Sequence, residues 1–392
     1  MKVLPYTGAS FLCAFVTAIP TAFRECKSER LRSFSFAAGF NRKAKGKMKV
    51  TEATSQKIKN MSLLCAAFVV SIHIGIPGEL DSPLWLVHQL VVDGIARIAV
   101  PFFFVVSGFF LAAHFNETGW WGRELKKRLS SLVIPFFVWS LLFVISLMLG
   151  SIITDLLTHR PLGTGGAIEC IITNWLKIPG VYLTKCPILG PLWYVRCLFF
   201  FVLAAPIISK CVTKFKYTWL IACFAALLVY THLLNPTFQG FFNYGFSLSG
   251  LFYFSVGIFI QLAKPKALPT KLAIVFGIVG IALWIAKTIC LASHDGSALG
   301  KLFVPFLLVA TWHFMPAKRL PDWLTSCSFP IFLMHEFFFP YVHFAVKHLP
   351  AQYIPFVEPT INFIVGFFGS IAVTLLLRKH LPGTSRVLFG GR

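Results

Sequence analysis

The sequence predicts an all-α polytopic membrane protein of about ten transmembrane helices with both termini in the cytosol. The chain is 57% hydrophobic, with 43 phenylalanines among 392 residues and only 13% charged residues, far from the composition of a soluble domain. Apolar runs of about 20 residues, the length that crosses a hydrocarbon core, follow Asn60 with centres near Val69, Phe104, Leu142, Phe200, Ala225, Phe254, Val279, Leu308, Met334 and Gly366. Basic residues mark alternate loops: Lys126, Lys127 and Arg128, then Lys210, Lys214 and Lys216, then Lys264 and Lys266, then Lys318 and Arg319, then Arg378 and Lys379. The other loops are poor in Lys and Arg, and the first carries Glu79 and Asp81. That alternation sets the orientation of the helices.

The same bias accounts for the formal net charge of +22. No basic patch is interleaved with solvent-facing aromatics, so the lipid bilayer is the expected partner and nucleic acid is not. The 10 cysteines show no CxxC or Cys/His ligand spacing, and no metal site is expected. Cys170 and Cys186 share a loop placed outside the cytosol, where they are either a disulfide or two unrelated thiols.

Three segments are expected. Residues 1–59 form a basic N-terminal extension. Its apolar stretch, "MKVLPYTGASFLCAFVTAIPTAF", is too short and too poor in Leu and Ile for a span, and "RLRSFSFAAGFNRKAKGK" is loop-like. With Lys2 as its one early cation it fits a signal peptide poorly; a disordered tail or a mis-assigned start fits better, since "MKV" recurs at Met48. Residues 60–380 form one membrane domain without an internal repeat or a loop large enough for a soluble module. Residues 381–392 are a short basic cytosolic tail.

Ionisable side chains inside spans are costly and point to function. The first helix runs outward and, at about 1.5 Å per residue, lifts His73 about 20 Å above Lys59, into the outer half. The second runs inward, with Arg97 near its outer end. The fourth opens outside with "GPLWYVRCLFFF", placing Trp193, Tyr194 and Arg196 at a similar level. In the ninth, "SCSFPIFLMHEFFFP" puts His335 and Glu336 near mid-membrane. These groups from four helices are expected to line one polar cavity. Each also has a plainer reading: an interhelical hydrogen bond for His73, snorkelling for Arg97 and Arg196, an interfacial aromatic belt for Trp193 and Tyr194, and topology markers for Lys126, Lys127 and Arg128. Ser107, before Gly108, reads as a close-approach site rather than an acyl carrier.

Six motifs fall in order: "LLCAAFVVSIHIG", "RIAVPFFFVVSGFFLA", "KKRLSSLVIPFFVWSLL", "LWYVRCLFFF", "YFSVGIFI" and "SFPIFLMHEFFFP". Together they resemble the membrane-bound acyltransferase-3 family from about Asn60 to Leu377, and ten spans is that family's core architecture. The resemblance implies an O-acyltransferase that moves an acyl group, usually acetyl, from cytosolic acyl-CoA to a hydroxyl of a cell-envelope saccharide or lipid-linked sugar, in the bacterial inner membrane. Acyl-CoA would be a co-substrate, with no bound cofactor. His73 takes the place of the general base and Arg97 that of the second-helix Arg. Trp193, Tyr194, Arg196, His335 and Glu336 are expected to bind substrate, and Lys59, Lys126, Lys127 and Arg128 to bind acyl-CoA.

The chemistry of the residues agrees. A thioester is already activated, so the enzyme has to deprotonate the acceptor hydroxyl and stabilise the oxyanion. Imidazole, with an unperturbed pKa of about 6.5, suits the first task, and Arg97 or Arg196 could donate to the second. The three cations at 126–128 are placed to meet the phosphates of acyl-CoA, so the reaction is expected to proceed across the membrane. Two positions depart from the family pattern. Ser62 stands where a cation usually lies eleven residues before the His, with Lys59 a nearby substitute, and Ser131 stands where a second Arg follows Arg128. These departures keep open an inactive relative acting as a sensor or partner subunit. A proton-coupled secondary transporter using His73, Arg97 and Glu336 is a further reading, though "AVPFFFVVSGFF" has no twin in the other half.

Overall fold

The computed structural model describes residues 51–74, 83–157, 159, 183, 185–234, 236–290 and 298–391. Most of the expected N-terminal extension, Glu79, Asp81 and Cys170 lie outside the described residues. Among the described residues all regular structure is helical. The first helix, α1, spans Glu52–His73; Thr51 caps it by accepting a hydrogen bond from the Thr54 amide at 3.2 Å, and Glu52 suits the positive end of the helix dipole. Residues 52–59, expected within the extension, are thus the first two turns of this helix.

The chain then builds α2 (Ala99–Ala112), α3 (Trp120–Arg128), α4 (Ile134–Leu157), α5 (Leu192–Phe215), α6 (Tyr217–Leu233), α7 (Leu248–Ala263), α8 (Thr270–Cys290) and α9 (Ala298–Phe314). They are followed by α10 (Ser328–Met334), α11 (Phe339–Val346), α12 (Ile354–Ile364), α13 (Ser370–His380) and α14 (Pro382–Leu388). Short π or 3-10 turns join several of these without breaking the run. Among the described residues, seven helical segments are long and apolar enough to cross a membrane: Pro83–Ala112, Trp120–Leu156, Leu192–Phe215, Phe238–Ala263, Thr270–Ile289, Asp322–Val346 and Ile354–His380. Tyr217–Tyr230 and Gly300–Phe314 are apolar but shorter. Ile207, Ile278 and Ile289 point away from the bundle and are largely exposed, as residues facing lipid would be.

In lipid, apolar side chains gain little from leaving their surroundings, so helices associate by close packing, and small residues make that possible. Glycine does this where α2 crosses α7. A Cβ on Gly108 would run into the Phe254 carbonyl oxygen, and one on Gly257 into the backbone of Val105 and Phe109. The Ser107–Gly108 pair is therefore a contact point, as its sequence suggests; the Ser107 hydroxyl meets the Tyr194 hydroxyl at 3.0 Å. Around the crossing, Phe104, Tyr194, Phe201 and Phe246 interlock, with ring centroids 4.6 Å apart for Phe104–Tyr194 and 4.9 Å for Phe201–Phe246. This block fixes α2 and α5 relative to each other.

The C-terminal segment, expected as a tail, is packed. Pro382, fitted to a first helical turn, opens α14, and Leu388 and Phe389 beyond it are buried in the main core. Trp139 donates its indole N–H to the Leu388 carbonyl at 2.9 Å and stacks on Phe389 with centroids 6.2 Å apart. Gly390, with φ 64°, brings its backbone against that of Ser131. Ser131 is buried there, which gives the absent second Arg a physical setting: the place beside residue 131 is filled by the chain's own C-terminal backbone.

Gly257→Ala should lower stability by about 2 kcal/mol, since its methyl group has only backbone to displace. Gly277→Ala, whose nearest neighbour would be the Ala310 Cβ at 3.5 Å, should leave stability within about 0.5 kcal/mol. Denaturant unfolding of the two purified variants in detergent reads the difference.

Candidate active site

His73 closes α1, with Ile74 already extended, so its side chain leaves the helix at the end opposite Lys59. The Asp322–Val346 span departs from α-helical form at the same level: α10 gives way to a 3-10 turn over His335–Phe338. Both residues of that turn's opening pair reach His73. Glu336 Oε1 lies 2.8 Å from His73 Nδ1, and the His335 ring centroid lies 5.1 Å from that of His73. The sequence places His335 and Glu336 deeper than His73; the contacts put all three at one depth, because the turn brings the ninth apolar segment against the end of the first.

The second oxygen of Glu336 accepts the Gly190 amide N–H at 2.6 Å. A carboxylate in an apolar bundle needs such donors, and glycine is required for the approach, since a Cβ there would stand 2.8 Å from both carboxylate oxygens. The Gly190 loop is held by Arg196, which donates to the Lys185 carbonyl at 2.7 Å and to the Tyr244 carbonyl at 2.9 Å. Arg196 thus ties together the loop that carries Gly190. Tyr194, on the same first turns of α5, donates to the Phe103 carbonyl at 3.2 Å and packs on Phe332 of α10 with centroids 5.2 Å apart. Trp193 lies beside Phe104 and Tyr244.

Protonation follows from the partners. A nitrogen 2.8 Å from a carboxylate oxygen donates, so His73 carries a proton on Nδ1, and in the neutral ring Nε2 keeps its lone pair. His73 and Glu336 are each about one-fifth exposed. His335 is fully buried; its Nδ1 donates to the Ile331 carbonyl at 3.0 Å and the Phe332 carbonyl at 3.2 Å.

Arg97 stands in a 3-10 turn, Ile95–Ile98, that packs against α1. It is ion-paired with Asp93, one helical turn earlier. Asp93 also has His88 Nε2 at 3.8 Å, and Lys287 of α8 donates to its carbonyl at 3.2 Å. An arginine expected to face an oxyanion is therefore half neutralised by a neighbour within its own segment.

The expected acyl-CoA residues lie at the opposite end of the bundle. Lys59 pairs with Asp322 at 2.6 Å, with Arg319 on the other oxygen at 3.2 Å, and the Ser62 hydroxyl donates to the Ile58 carbonyl. Arg128 and Lys127 flank the buried Glu124 at 3.4 and 3.7 Å, and Lys126 is exposed. Beside them His114 and Arg123 close on Glu117 at 3.1 and 2.6 Å; the His114 hydrogen bond first, and Arg123 second, hold its carboxyl below the usual carboxylate range.

Four participants escape the sequence reading: Gly190, Asp93, Glu124 and His114. Asp93–Arg97 and Glu124–Arg128 stand at the four-residue spacing of helical ion pairs, so a signal existed. His114 likewise stands three residues before its partner Glu117, whereas Gly190 had no signal, since its amide meets a carboxylate 146 residues away.

This pairing of an imidazole with a partly exposed carboxylate is set in the apolar helix bundle of a multi-pass membrane acyltransferase. The profile of the acyltransferase-3 family, described as an acyltransferase domain, matches residues 58–379, and the chain belongs to that family. It is also similar to the succinoglycan biosynthesis protein ExoH of Rhizobium meliloti (strain 1021), 25% identical over 373 residues that cover 86% of this chain and 92% of that protein. No solved structure matches it significantly.

Gly190→Ala should lower acyl transfer by about tenfold, the scale set by one displaced hydrogen bond to a charged group, while the amount of folded protein in the membrane stays the same. Transfer rate per immunodetected protein in isolated membranes checks this.

Proposed function

We propose that this protein transfers an acyl group, acetyl in the simplest case, from acyl-CoA to a hydroxyl of an envelope saccharide or lipid-linked sugar, with His73 as general base and Glu336 as the residue that orients it. The observation that carries this reading is the 2.8 Å contact between His73 Nδ1 and Glu336 Oε1, which fixes the tautomer with a free Nε2. The similarity to a succinoglycan biosynthesis protein supports a saccharide acceptor.

The step balances with these groups alone. His73 Nε2 takes the proton of the acceptor hydroxyl as its oxygen bonds to the thioester carbonyl carbon, and the carbonyl becomes an oxyanion. Glu336 stabilises the imidazolium through Nδ1, as the carboxylate does in a Ser-His-Asp triad. Collapse of the oxyanion breaks the carbon–sulfur bond, and the departing thiolate takes the proton from His73. No covalent acyl-enzyme is required.

We also read α1, α6 and α9 as spans, which with the seven longer helices gives ten, both termini cytosolic by the distribution of Lys and Arg. On that reading Arg128, Lys127 and Lys126 meet the phosphates of acyl-CoA from the cytosol. His73 lies about 20 Å away along α1 from Lys59 at that end. The acyl end of the donor then has to reach up between the helices while the acceptor arrives from the other face.

His73→Ala should abolish ester-linked acylation of envelope glycans, a loss of about a thousandfold or more, and Glu336→Gln should cost about a hundredfold with the protein still folded. Ester-linked acyl groups released by mild base from cells carrying the intact protein, each variant or no protein read the outcome; full acylation by His73→Ala would overturn the assignment. In sealed vesicles, transfer should require acetyl-CoA on the cytosolic face and acceptor on the other, and transfer with both on one face would refute the crossing.

A further inference from the structure

The 3-10 turn over His335–Phe338 has a second side. Successive side chains in such a turn stand about 120° apart, so while Glu336 reaches His73 on α1, Phe337 turns toward α4. There it meets Trp139 edge-on, with centroids 6.1 Å apart, and Phe143 at 6.0 Å. Hydrogen bonds in a 3-10 turn are poorer than those of an α-helix, so where Glu336 sits depends on what the turn rests against. Trp139 is in turn held by a distant part of the chain. Its indole N–H donates to the Leu388 carbonyl at 2.9 Å, and Phe389, fully buried, lies on its ring with centroids 6.2 Å apart. A packed column of three rings thus runs from the end of α14 to the residue beside Glu336.

We propose that Phe389 is a positioning residue for acyl transfer: through Trp139 and Phe337 it braces the turn that presents Glu336 to His73. The inference rests on the reading of His73 as the base and Glu336 as the carboxylate that orients it. Complete burial gives Phe389 no surface to offer donor or acceptor, so it acts only through the rings it packs against. A brace of this kind bears on rate, because a misplacement of about 1 Å at the reacting groups can cost about a hundredfold. It leaves donor binding alone. The rival role for the same segment is donor binding, since Gly390 lies against Ser131, three residues beyond Arg128. A segment acting there would change the KM for acetyl-CoA and leave kcat, which separates the two roles.

The test uses the full chain in membranes containing the natural acceptor, with acetyl-CoA as donor and rates taken per amount of protein that stays monodisperse in detergent. Phe389→Ala should lower kcat for CoA release about tenfold with the KM for acetyl-CoA unchanged, and Phe337→Ala should do the same. Phe389→Leu, which keeps apolar bulk against Trp139, should hold kcat within about twofold of the intact protein. Because both truncations act through one column, Phe337→Ala and Phe389→Ala combined should lose about tenfold, where independent effects would multiply to about a hundredfold. Should Phe389→Ala not be recovered folded, Trp139→Phe makes the comparison: it keeps a ring beside Phe337, gives up the bond to Leu388 and should lose about fivefold in kcat. Unchanged kcat in whichever variant is read, a raised KM with kcat kept, or a multiplied loss in the double variant overturns the proposal. His73→Ala, run alongside, separates the two readings: if it retains CoA release the base assignment itself fails, whereas an inactive His73→Ala beside an unimpaired Phe389→Ala removes only the brace.

Discussion

Glu336 is an acidic side chain set into an apolar helical bundle, and the organisation of the site follows from the need to satisfy it. An unpaired carboxylate there would cost several kcal/mol or shed its charge. The structure supplies one N–H from a distant backbone, Gly190, and one from an imidazole, His73. Each donor comes from a different element, so meeting the demand fastens the end of α1, the loop before α5 and the 3-10 turn after α10 to one point. The same fastening leaves His73 in a single tautomer with its other nitrogen available.

The rest of the bundle holds these elements in place. Glycines at 108 and 257 let α2 and α7 pack backbone to backbone. The aromatic block beside them carries Tyr194 against α10 through Phe332. Arg196, costly to place in an apolar helix, is matched by backbone carbonyls at 185 and 244, and so acts on the site through the loop that presents Gly190. Arg97 is matched by Asp93. Most of the ionisable side chains that drew attention as potential ligands are thus already engaged with the protein.

The two ends of the bundle differ in kind. Asp322 pairs with exposed Lys59 and Arg319 where solvent screens the charges, while Glu124 is buried under Arg128 and Lys127. Around Glu336 the contacts are few and short, and the carboxylate is about one-fifth exposed. The length of α1 separates Lys59, near one end, from His73 at the other.

From the sequence alone, the helical class, the apolar segments, the family and the identity of His73, His335 and Glu336 as unusual groups were all legible, because composition and the cost of burying charge act locally and leave a mark on every span. The contact at Gly108 was legible too, since a small residue in an apolar helix has few other uses. The partnerships were not. Nothing in "GPLWYVR" says that the amide of its first glycine meets a carboxylate in "LMHEFF", and nothing in "LLCAAFVVSIH" says which ring nitrogen will be free. The packed C-terminal segment likewise looked like a basic tail, because its buried residues, Leu388 and Phe389, are too few to form a periodic face. Sequence determined which side chains could do chemistry in a membrane. Tertiary structure decided which of them met, because a hydrogen bond between segments far apart in the chain depends on how helices cross and where a turn tightens, and neither has a local signature.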